Sequence, residues 1–341
     1  TSGRLRLLDP GNPVGPRDCV SLFIALLPFQ ALLTLVAISL ISLTDLDLTP
    51  GFFLAMVSLG LATMLFQSGV VLVYGLRRYR VVLISEVGIA LVQVVTIVGV
   101  YLGGRLTATS AILIMAASLA VGGAWLVGQA GGFRGETNRG LTTYWRALIV
   151  EGFYPMLGEV ATFIAFRLDR IVLAVAVGAE ALGLYVVALT IPGTLRILPK
   201  AFCQVIADRG RSGLEPAAAI MRHSRRFLAG YFLALGAATV AGWVLLPVVF
   251  SEGFRNARDV LVVVTIAEAI LSVHLIYQAL LVGFTGPRAI GLPQVVGGLV
   301  TVALTVVMIP RWGLHGAAVA CASGYAVLAV TSGIWTTREL K

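Results

Sequence analysis

Five ionisable residues interrupt an apolar stretch of the sequence, residues 148–177, that is long enough to cross a bilayer. They are Glu151, Glu159, Arg167, Asp169 and Arg170. At about 100° per residue of an α-helix, the five occupy an arc of about 160° and leave the opposite face apolar. Charged groups inside hydrocarbon are costly and usually functional, so we expect this face to line a polar cavity. Local pairing of Arg170 with Glu159 or with Asp169 is an alternative, and the two interpretations are compatible.

A sixth charged residue, Arg196, lies in the next apolar stretch between Pro192 and Pro199. Two prolines this close together are expected to break or kink a helix. Broken helices in transporters often line the substrate site, which makes Arg196 a candidate for binding an anionic group. The alternative is that Arg196 extends to the membrane surface together with Lys200.

Three further ionisable residues stand alone in apolar stretches: Glu86, Glu268 and His274. Each is a candidate for carrying a coupling ion, or else a hydrogen-bonded contact between helices. The three cysteines and three histidines are scattered along the chain, without the spacing that is typical of a metal site. We therefore expect no bound metal.

The elements that must position these residues are transmembrane helices. The chain has 341 residues, of which 58% are hydrophobic and only 12% are charged. This composition excludes a soluble enzyme, a nucleic-acid-binding module and a disordered chain. The apolar runs predict an all-α, polytopic bundle of about ten helices. These cover about 20–43, 51–76, 81–103, 109–131, 148–177, 181–205, 226–250, 259–284, 289–310 and 314–336.

The basic residues predict how these helices are oriented. An even number of spans places both termini on one side, and that side carries 18 of the 25 Lys and Arg residues. The other side carries four: Arg105, Arg255, Arg258 and Arg311. Because basic loops stay in the cytoplasm, we expect both ends of the chain to be cytoplasmic. Only one connection, residues 206–225, is expected to be longer than a turn.

A weak internal repeat predicts two bundles. Residues 67–104 and 278–313 both contain a helix that ends at a Gly and Arg turn, followed by a returning helix. The polar loop 134–146 then separates a bundle of about four helices, residues 1–140, from one of about six, residues 141–341. Equal halves would require two more helices before Thr1 in a twelve-helix fold. Chance similarity between apolar helices is the alternative explanation.

Two segments resemble a known family. One runs from Phe166 through Asp169 to Leu173 and continues with Val177-Gly178 and Leu182-Gly183-Leu184-Tyr185. The other joins Gly283-Phe284-Thr285-Gly286-Pro287-Arg288 to Ile309-Pro310-Arg311-Trp312-Gly313. Both are similar to the oligosaccharide repeat-unit flippases of polysaccharide biosynthesis. These belong to the multidrug/oligosaccharidyl-lipid/polysaccharide (MOP) exporter superfamily, whose members typically have 12 or 14 helices in two bundles.

The resemblance implies a membrane transporter and not an enzyme. Its substrate would be a polyprenyl-diphosphate-linked oligosaccharide, such as an O-antigen or exopolysaccharide unit, flipped across the bacterial inner membrane by alternating access. No cofactor is expected beyond a gradient of H⁺ or Na⁺, and no nucleic acid is expected as a partner. The expected partners are the lipid-linked substrate, membrane lipids and polysaccharide polymerase machinery. The expected substrate-binding residues are Arg167, Arg170, Arg196, Asp169, Glu159 and Glu151, with Glu86, Glu268 and His274 as candidates for ion coupling.

Two other functions fit part of the pattern. A drug or ion antiporter of the same superfamily would favour an acidic cavity for cations, whereas residues 148–177 carry both signs of charge. A membrane-embedded polysaccharide polymerase or ligase would usually have one large outer loop, whereas all the predicted outer loops are short.

The predicted orientation leads to a labelling experiment. Residues 134–146 and 206–225 should face the cytoplasm, and residues 44–50 and 251–258 should face outward. Single cysteines placed in these segments should react with an impermeant thiol reagent on intact cells only in the outward set. Strong external labelling at position 211 would show that the orientation is inverted.

Overall fold

The computed structural model describes residues 49–76, 78–131, 141–211, 213, 215–250, 252–285 and 288–339, together with Pro28 and Leu32. All regular secondary structure in these ranges is helical, which confirms the all-α prediction. The first predicted span, residues 20–43, lies outside the described part of the chain except for Pro28 and Leu32, which are both helical.

By its internal contacts the chain divides into two compact units, Thr1–Ile149 and Val150–Lys341. The described part of the first unit contains α1 (Pro50–Gly75), α2 (Tyr79–Leu102) and α3 (Ala108–Gln129). The division falls within a fourth helix, close to the boundary at residue 140 that the sequence suggests. The assignment of two pseudo-repeated bundles stays a prediction.

Polar side chains at the helix starts define where α1 and α3 begin. The Thr49 hydroxyl accepts a hydrogen bond from the Phe52 backbone N–H at 3.4 Å. At α3 the Thr107 and Ser110 side chains each accept a hydrogen bond from the other residue's backbone N–H, at 3.1 and 2.9 Å. This reciprocal arrangement satisfies N–H groups that have no partner within the helix.

Glycines allow α1 and α3 to pack almost backbone to backbone. A Cβ added at Gly123 would lie 2.7 Å from the Phe66 backbone nitrogen, and one added at Gly69 would lie 3.1 Å from the Gly123 carbonyl oxygen. Such approaches through small residues are typical of helices in membranes, where close van der Waals packing replaces the hydrophobic effect. Phe66, Val70, Leu126 and Val127 form the buried core beside this contact.

The second unit is built from longer helices, several of which are bent or broken. Its elements, including a helix that begins in the first unit, are α4 (Leu141–Ala176), α5 (Ala179–Leu195), α6 (Ile197–Arg211), α7 (Ala217–Phe250), a 3₁₀ turn (Glu252–Asn256), α8 (Ala257–Phe284) and α9 (Arg288–Glu339).

Helix α8 is the centre of the second unit. It packs against α5, α6, α7 and α9, and its buried residues run through most of its length. On one side Val260, Leu261 and Val264 join the core that also contains Tyr185 and Leu246. Because α8 is enclosed by neighbouring helices, a polar side chain on it must find its partner inside the protein.

Helix α4 approaches α9 through small residues. A Cβ added at Gly298 would lie 3.0 Å from the Ala161 carbonyl oxygen, and one added at Gly158 would lie 3.2 Å from the Gln294 Cβ. Helix α9 itself bends at Gly313, where φ is 54° and the conformation is not helical. The two legs on either side of Gly313 correspond to the predicted spans 289–310 and 314–336.

Seven described segments are long and apolar enough to span a membrane, and α5 and α6 count together as one of them. The charged helix α4 is not among the seven. One prediction was wrong: the expected long connection 206–225 is mostly helical, because α6 extends to Arg211 and α7 begins at Ala217. Polar residues beyond the hydrocarbon still form intrahelical hydrogen bonds, so a helix need not end where its apolar run ends.

The contact between α1 and α3 predicts a position-specific loss of stability. Gly123→Ala should destabilise the protein by about 1–3 kcal/mol, because the new methyl group meets backbone atoms of α1 that cannot move aside. Thermal unfolding in detergent measures the effect. Gly128→Ala on the same helix is the matched control, since no atom lies within 4 Å of a Cβ there. Equal stability of the two variants would contradict the proposed contact.

Candidate functional site

Asp169 on α4 is buried and hydrogen-bonded through both carboxylate oxygens. The Tyr185 hydroxyl on α5 donates to Asp169 Oδ2 at 2.6 Å. The Arg170 backbone N–H donates to Asp169 Oδ1 at 2.7 Å. Asp169 is only 3% exposed, and Tyr185 is completely buried. The carboxylate therefore has internal partners, as a buried acidic group requires.

The two arginines beside Asp169, Arg167 and Arg170, are more exposed than Asp169 is. Arg167 is exposed, and its guanidinium lies 5.7 Å from the centre of the Phe163 ring. Arg170 is half-buried, and its Nε is buried without a hydrogen-bond partner. Across the described residues, neither guanidinium forms an ion pair with a carboxylate. The expected ion pair of Asp169 with Arg170 is therefore not found among the described residues, where the contact uses the backbone N–H of Arg170 instead.

Glu159 and Glu151 complete the charged set on α4. Glu159 is exposed, and within the described ranges it forms no ion pair, so its expected pairing with Arg170 is absent from this structure. Glu151 belongs to α4, but its side chain lies outside the described part of the protein. A role of either residue in substrate binding stays a prediction.

Arg196 lies at the break between α5 and α6, and its partner is Glu268 on α8. The Arg196 Nε donates to Glu268 Oε2 at 2.9 Å, and the terminal NH2 group donates to Oε1. The two residues are 72 positions apart in sequence. The Glu268 side chain is 1% exposed and the Arg196 side chain is 19% exposed. This two-point geometry matches the planar fork of a guanidinium to both oxygens of a carboxylate.

Aromatic rings surround this ion pair. The Arg196 guanidinium lies 5.5 Å from the centre of the Phe166 ring on α4. Phe166 in turn meets Tyr325 on α9 edge to face, with ring centres 5.0 Å apart. Tyr325 and Leu271 belong to a buried cluster in the same region. By excluding water, this shell strengthens the electrostatic attraction between Arg196 and Glu268.

His274 and Glu86 lie elsewhere. His274 on α8 is buried, and its Nδ1 lies 2.9 Å from the Ser332 Oγ and 3.2 Å from the Leu328 carbonyl oxygen on α9. These contacts fit the alternative of a hydrogen-bonded link between two helices. Glu86 is half-buried on α2 in the first unit. Ion coupling by these residues stays a prediction.

With this geometry established, the chain can be compared with known proteins. Residues 19–204 match the family model described as polysaccharide biosynthesis protein, which is more than half of the chain. The chain belongs to this family. A search of curated proteins finds no match.

Among solved structures, this polysaccharide biosynthesis protein is similar to a multidrug resistance MATE family transporter of the MOP superfamily, in its outward-facing conformation. The TM-score is 0.71 at 13% sequence identity, with 95% of this chain and 77% of that chain covered. At this identity the similarity establishes the fold alone. The chain is thus a multi-pass membrane protein with the helical fold of that superfamily.

Sequence reasoning about this family member missed the aromatic partners of the charged groups. Tyr185 belongs to the Gly-x-Tyr segment that carries the family resemblance, yet it was not expected to contact Asp169. The structure gives that segment a physical role, since Tyr185 supplies the hydroxyl that Asp169 needs. Phe166 is also in the recognised segment. No signal in the sequence indicated Tyr325.

The Arg196–Glu268 ion pair predicts that removing one partner destabilises the protein more than replacing both partners does. Glu268→Ala should lower the free energy of unfolding by about 3–5 kcal/mol, because it leaves Arg196 without its partner. Exchanging both residues for apolar ones, Arg196→Met with Glu268→Leu, should restore most of this loss. Thermal unfolding in detergent distinguishes the variants, with Glu339→Ala on the exposed end of α9 as the control. If Glu268→Ala unfolds like the control, the ion pair does not stabilise the fold.

Proposed function

We propose that this chain is a transporter that flips polyprenyl-diphosphate-linked oligosaccharide repeat units across the cytoplasmic membrane for assembly of a cell-surface polysaccharide. The observation that carries the proposal is the match of residues 19–204 to the polysaccharide biosynthesis family, in a chain with the fold of a MOP superfamily transporter. We place both ends of the chain in the cytoplasm.

The substrate class explains why a protein is needed. A sugar chain joined to a diphosphate cannot cross hydrocarbon unaided, because its polar groups would lose water without replacement. A polar path that opens to one side of the membrane at a time replaces those interactions, while the polyprenyl tail remains in the bilayer. Alternating access of this kind moves only the head group and requires no covalent chemistry. The chain would therefore act as a transporter and not as an enzyme.

Arg167 and Arg170 are the residues that we propose to bind the anionic head group. A lipid-facing arginine at the centre of a membrane helix costs about 2.5–3.5 kcal/mol or more, so it needs a polar or anionic partner. In the described residues neither guanidinium has a carboxylate partner, and the Arg170 Nε is buried without one. A diphosphate or an acidic sugar would supply oxygen atoms that accept two parallel hydrogen bonds from a planar guanidinium.

Asp169 and Arg196 support this assignment because both have hydrogen-bond partners within the protein. Asp169 accepts hydrogen bonds from Tyr185 and Arg170, and Arg196 is bound by Glu268. We propose that Asp169 and Glu159 adjust the position and charge of the two arginines. Because Glu268 binds its guanidinium, we assign Arg196 to the framework and not to the head-group site.

Energy for export would come from a gradient of H⁺ or Na⁺, with no cofactor. Glu86 and His274 are the candidates that we propose for carrying the coupling ion, whereas Glu268, also a candidate from the sequence, is bound by Arg196 and belongs to the framework. The polysaccharide polymerase machinery is the proposed partner that receives the flipped substrate. Each of these assignments belongs to the proposal.

An antiporter for drugs or small ions is the second candidate. The fold similarity to a multidrug resistance transporter favours it, since such transporters share this arrangement of helices. The two candidates differ in what accumulates when the protein is lost. A missing flippase leaves lipid-linked oligosaccharide on the cytoplasmic leaflet, whereas a missing antiporter leaves the cell sensitive to cationic drugs.

Removal of the two arginines tests the flippase. In a deletion strain, Arg167→Ala and Arg170→Ala should each reduce export by about tenfold or more, because each removes charge-assisted hydrogen bonds to the head group. Leaflet-resolved measurement of lipid-linked oligosaccharide reports the effect. Lysine at either position should retain part of the activity if only the positive charge matters. It should retain little if the two parallel hydrogen bonds of a planar guanidinium are needed.

The matched control is Arg105→Ala with Arg311→Ala, which removes two exposed arginines from positions outside α4. This control should export at the normal rate. Full complementation by Arg167→Ala with Arg170→Ala, at normal abundance in the membrane, would show that the charged face of α4 is structural. Drug sensitivity of the deletion strain without accumulation of oligosaccharide would favour the antiporter instead.

A further inference from the structure

A groove of about 350 Å³ opens near one end of the second unit, where three helices meet. It lies between the first turns of α7, the C-terminal half of α8 and the last turn of α9. The lining residues that matter for its chemistry are Arg225 and Leu228 on α7, Val273, Ile276 and Tyr277 on α8, and Thr337 on α9. The groove is separate from the candidate site, because its lining includes neither Asp169 and Tyr185 nor Arg196 and Glu268.

The position of the groove along the helices places it near the membrane surface. Helix α7 begins at Ala217 and α9 ends at Glu339, so Arg225 and Thr337 both lie close to helix ends. The apolar run of α7 begins after Arg226, and basic residues that flank such a run lie at the depth of the lipid headgroups. A molecule in the groove would therefore have one part at headgroup depth and another part in hydrocarbon.

One wall of the groove is apolar and held in place by packing. Leu228 and Ile276 belong to the same core as Ile206 and Leu280, which are both buried. Val273 extends this wall along α8. Aliphatic side chains in this arrangement favour a hydrocarbon chain over a water-soluble ligand.

Two hydrogen-bond donors stand beside this apolar wall. Arg225 is exposed, and within the described ranges its guanidinium forms no ion pair. Tyr277 packs against α9, where a Cβ added at Gly333 would lie 3.3 Å from the tyrosine Cε2. In the same ranges the Tyr277 hydroxyl has no hydrogen-bond partner in the protein. By contrast, the Thr337 hydroxyl already donates to the Ile334 carbonyl oxygen at 2.8 Å.

The charge around the groove selects for an anion. None of the lining residues is acidic. Arg222 and Arg226 lie on the same first turns of α7 and are exposed, and Arg338 lies in the last turn of α9. Basic residues at headgroup depth attract anionic lipids within about a Debye length. Charge and apolar surface together require a ligand that carries both a negative group and a hydrocarbon chain.

We propose that this groove binds a phospholipid with an anionic headgroup from the surrounding leaflet. Arg225 and Tyr277 donate hydrogen bonds to the lipid phosphate, and an acyl chain lies along Leu228, Val273 and Ile276. The bound lipid holds the ends of α7, α8 and α9 together. This proposal is independent of the transport function, because its ligand is a component of the membrane and not the cargo.

The test measures lipid binding to the purified, delipidated full chain in detergent. Phosphatidylglycerol should raise the thermal unfolding midpoint of the wild type more than phosphatidylcholine does, because choline cancels the negative charge of the phosphate, and inorganic phosphate should not raise it. Arg225→Ala should bind phosphatidylglycerol about tenfold or more weakly, because it loses a charge-assisted hydrogen bond. Tyr277→Phe should weaken binding by a smaller factor. Arg311→Ala is the matched control, since it removes an exposed arginine of α9 that does not line the groove, and it should bind normally.

Several results would overturn the proposal. Equal stabilisation by phosphatidylcholine would remove the role of the negative charge, and equal stabilisation by inorganic phosphate would remove the role of the acyl chain. Stronger binding of a polyprenyl phosphate than of phosphatidylglycerol would assign the groove to the transport substrate. Normal binding by Arg225→Ala would exclude the groove itself. Arg225→Gln, which keeps a long polar side chain, gives the same information if the alanine variant does not fold.

Discussion

The second unit depends on one constraint: a charged side chain that enters hydrocarbon must find a partner of its own. Glu268 satisfies this constraint through Arg196, and Asp169 satisfies it through Tyr185 and the backbone of Arg170. These contacts join α4 to α5, and the α5–α6 break to α8. These polar groups therefore connect helices that otherwise pack mainly through apolar side chains. Replacing both members of such a pair with apolar residues often preserves stability, whereas removing one member leaves a buried charge without a partner.

The same constraint separates the charged residues into two groups. The two acidic residues that have hydrogen-bond partners within the protein are buried, with Glu268 1% and Asp169 3% exposed. Arg167 and Arg170 remain more accessible and have no carboxylate partner among the described residues. The proposed transport of an anionic head group would use both groups, because the fixed pairs hold the framework and the available cations would bind the cargo. The α4 helix presents members of both groups within a single turn.

Much of the helix arrangement could be predicted from the sequence, whereas the partners could not. Apolar runs indicated most of the helices, including separate spans for the two legs of α9, and two prolines indicated the break at Arg196. The pairing of Arg196 with Glu268 could not be predicted, because 72 residues and several helices of similar composition separate them. In membrane helices both the lipid-facing and the protein-facing sides are apolar, so a hydrophobic pattern does not indicate which faces meet. The Gly123 contact with α1 was missed for the same reason.

The central claim is that Arg196 and Glu268 form a structural pair, while binding of the head group depends on other cations. Reconstituted proteoliposomes containing lipid-linked oligosaccharide test it directly, by the rate at which the oligosaccharide becomes accessible to an impermeant glycosidase. With Arg196→Met and Glu268→Leu combined, the account predicts translocation at close to the wild-type rate. Loss of translocation in this folded double variant would contradict it and would assign Arg196 or Glu268 to the transport step itself.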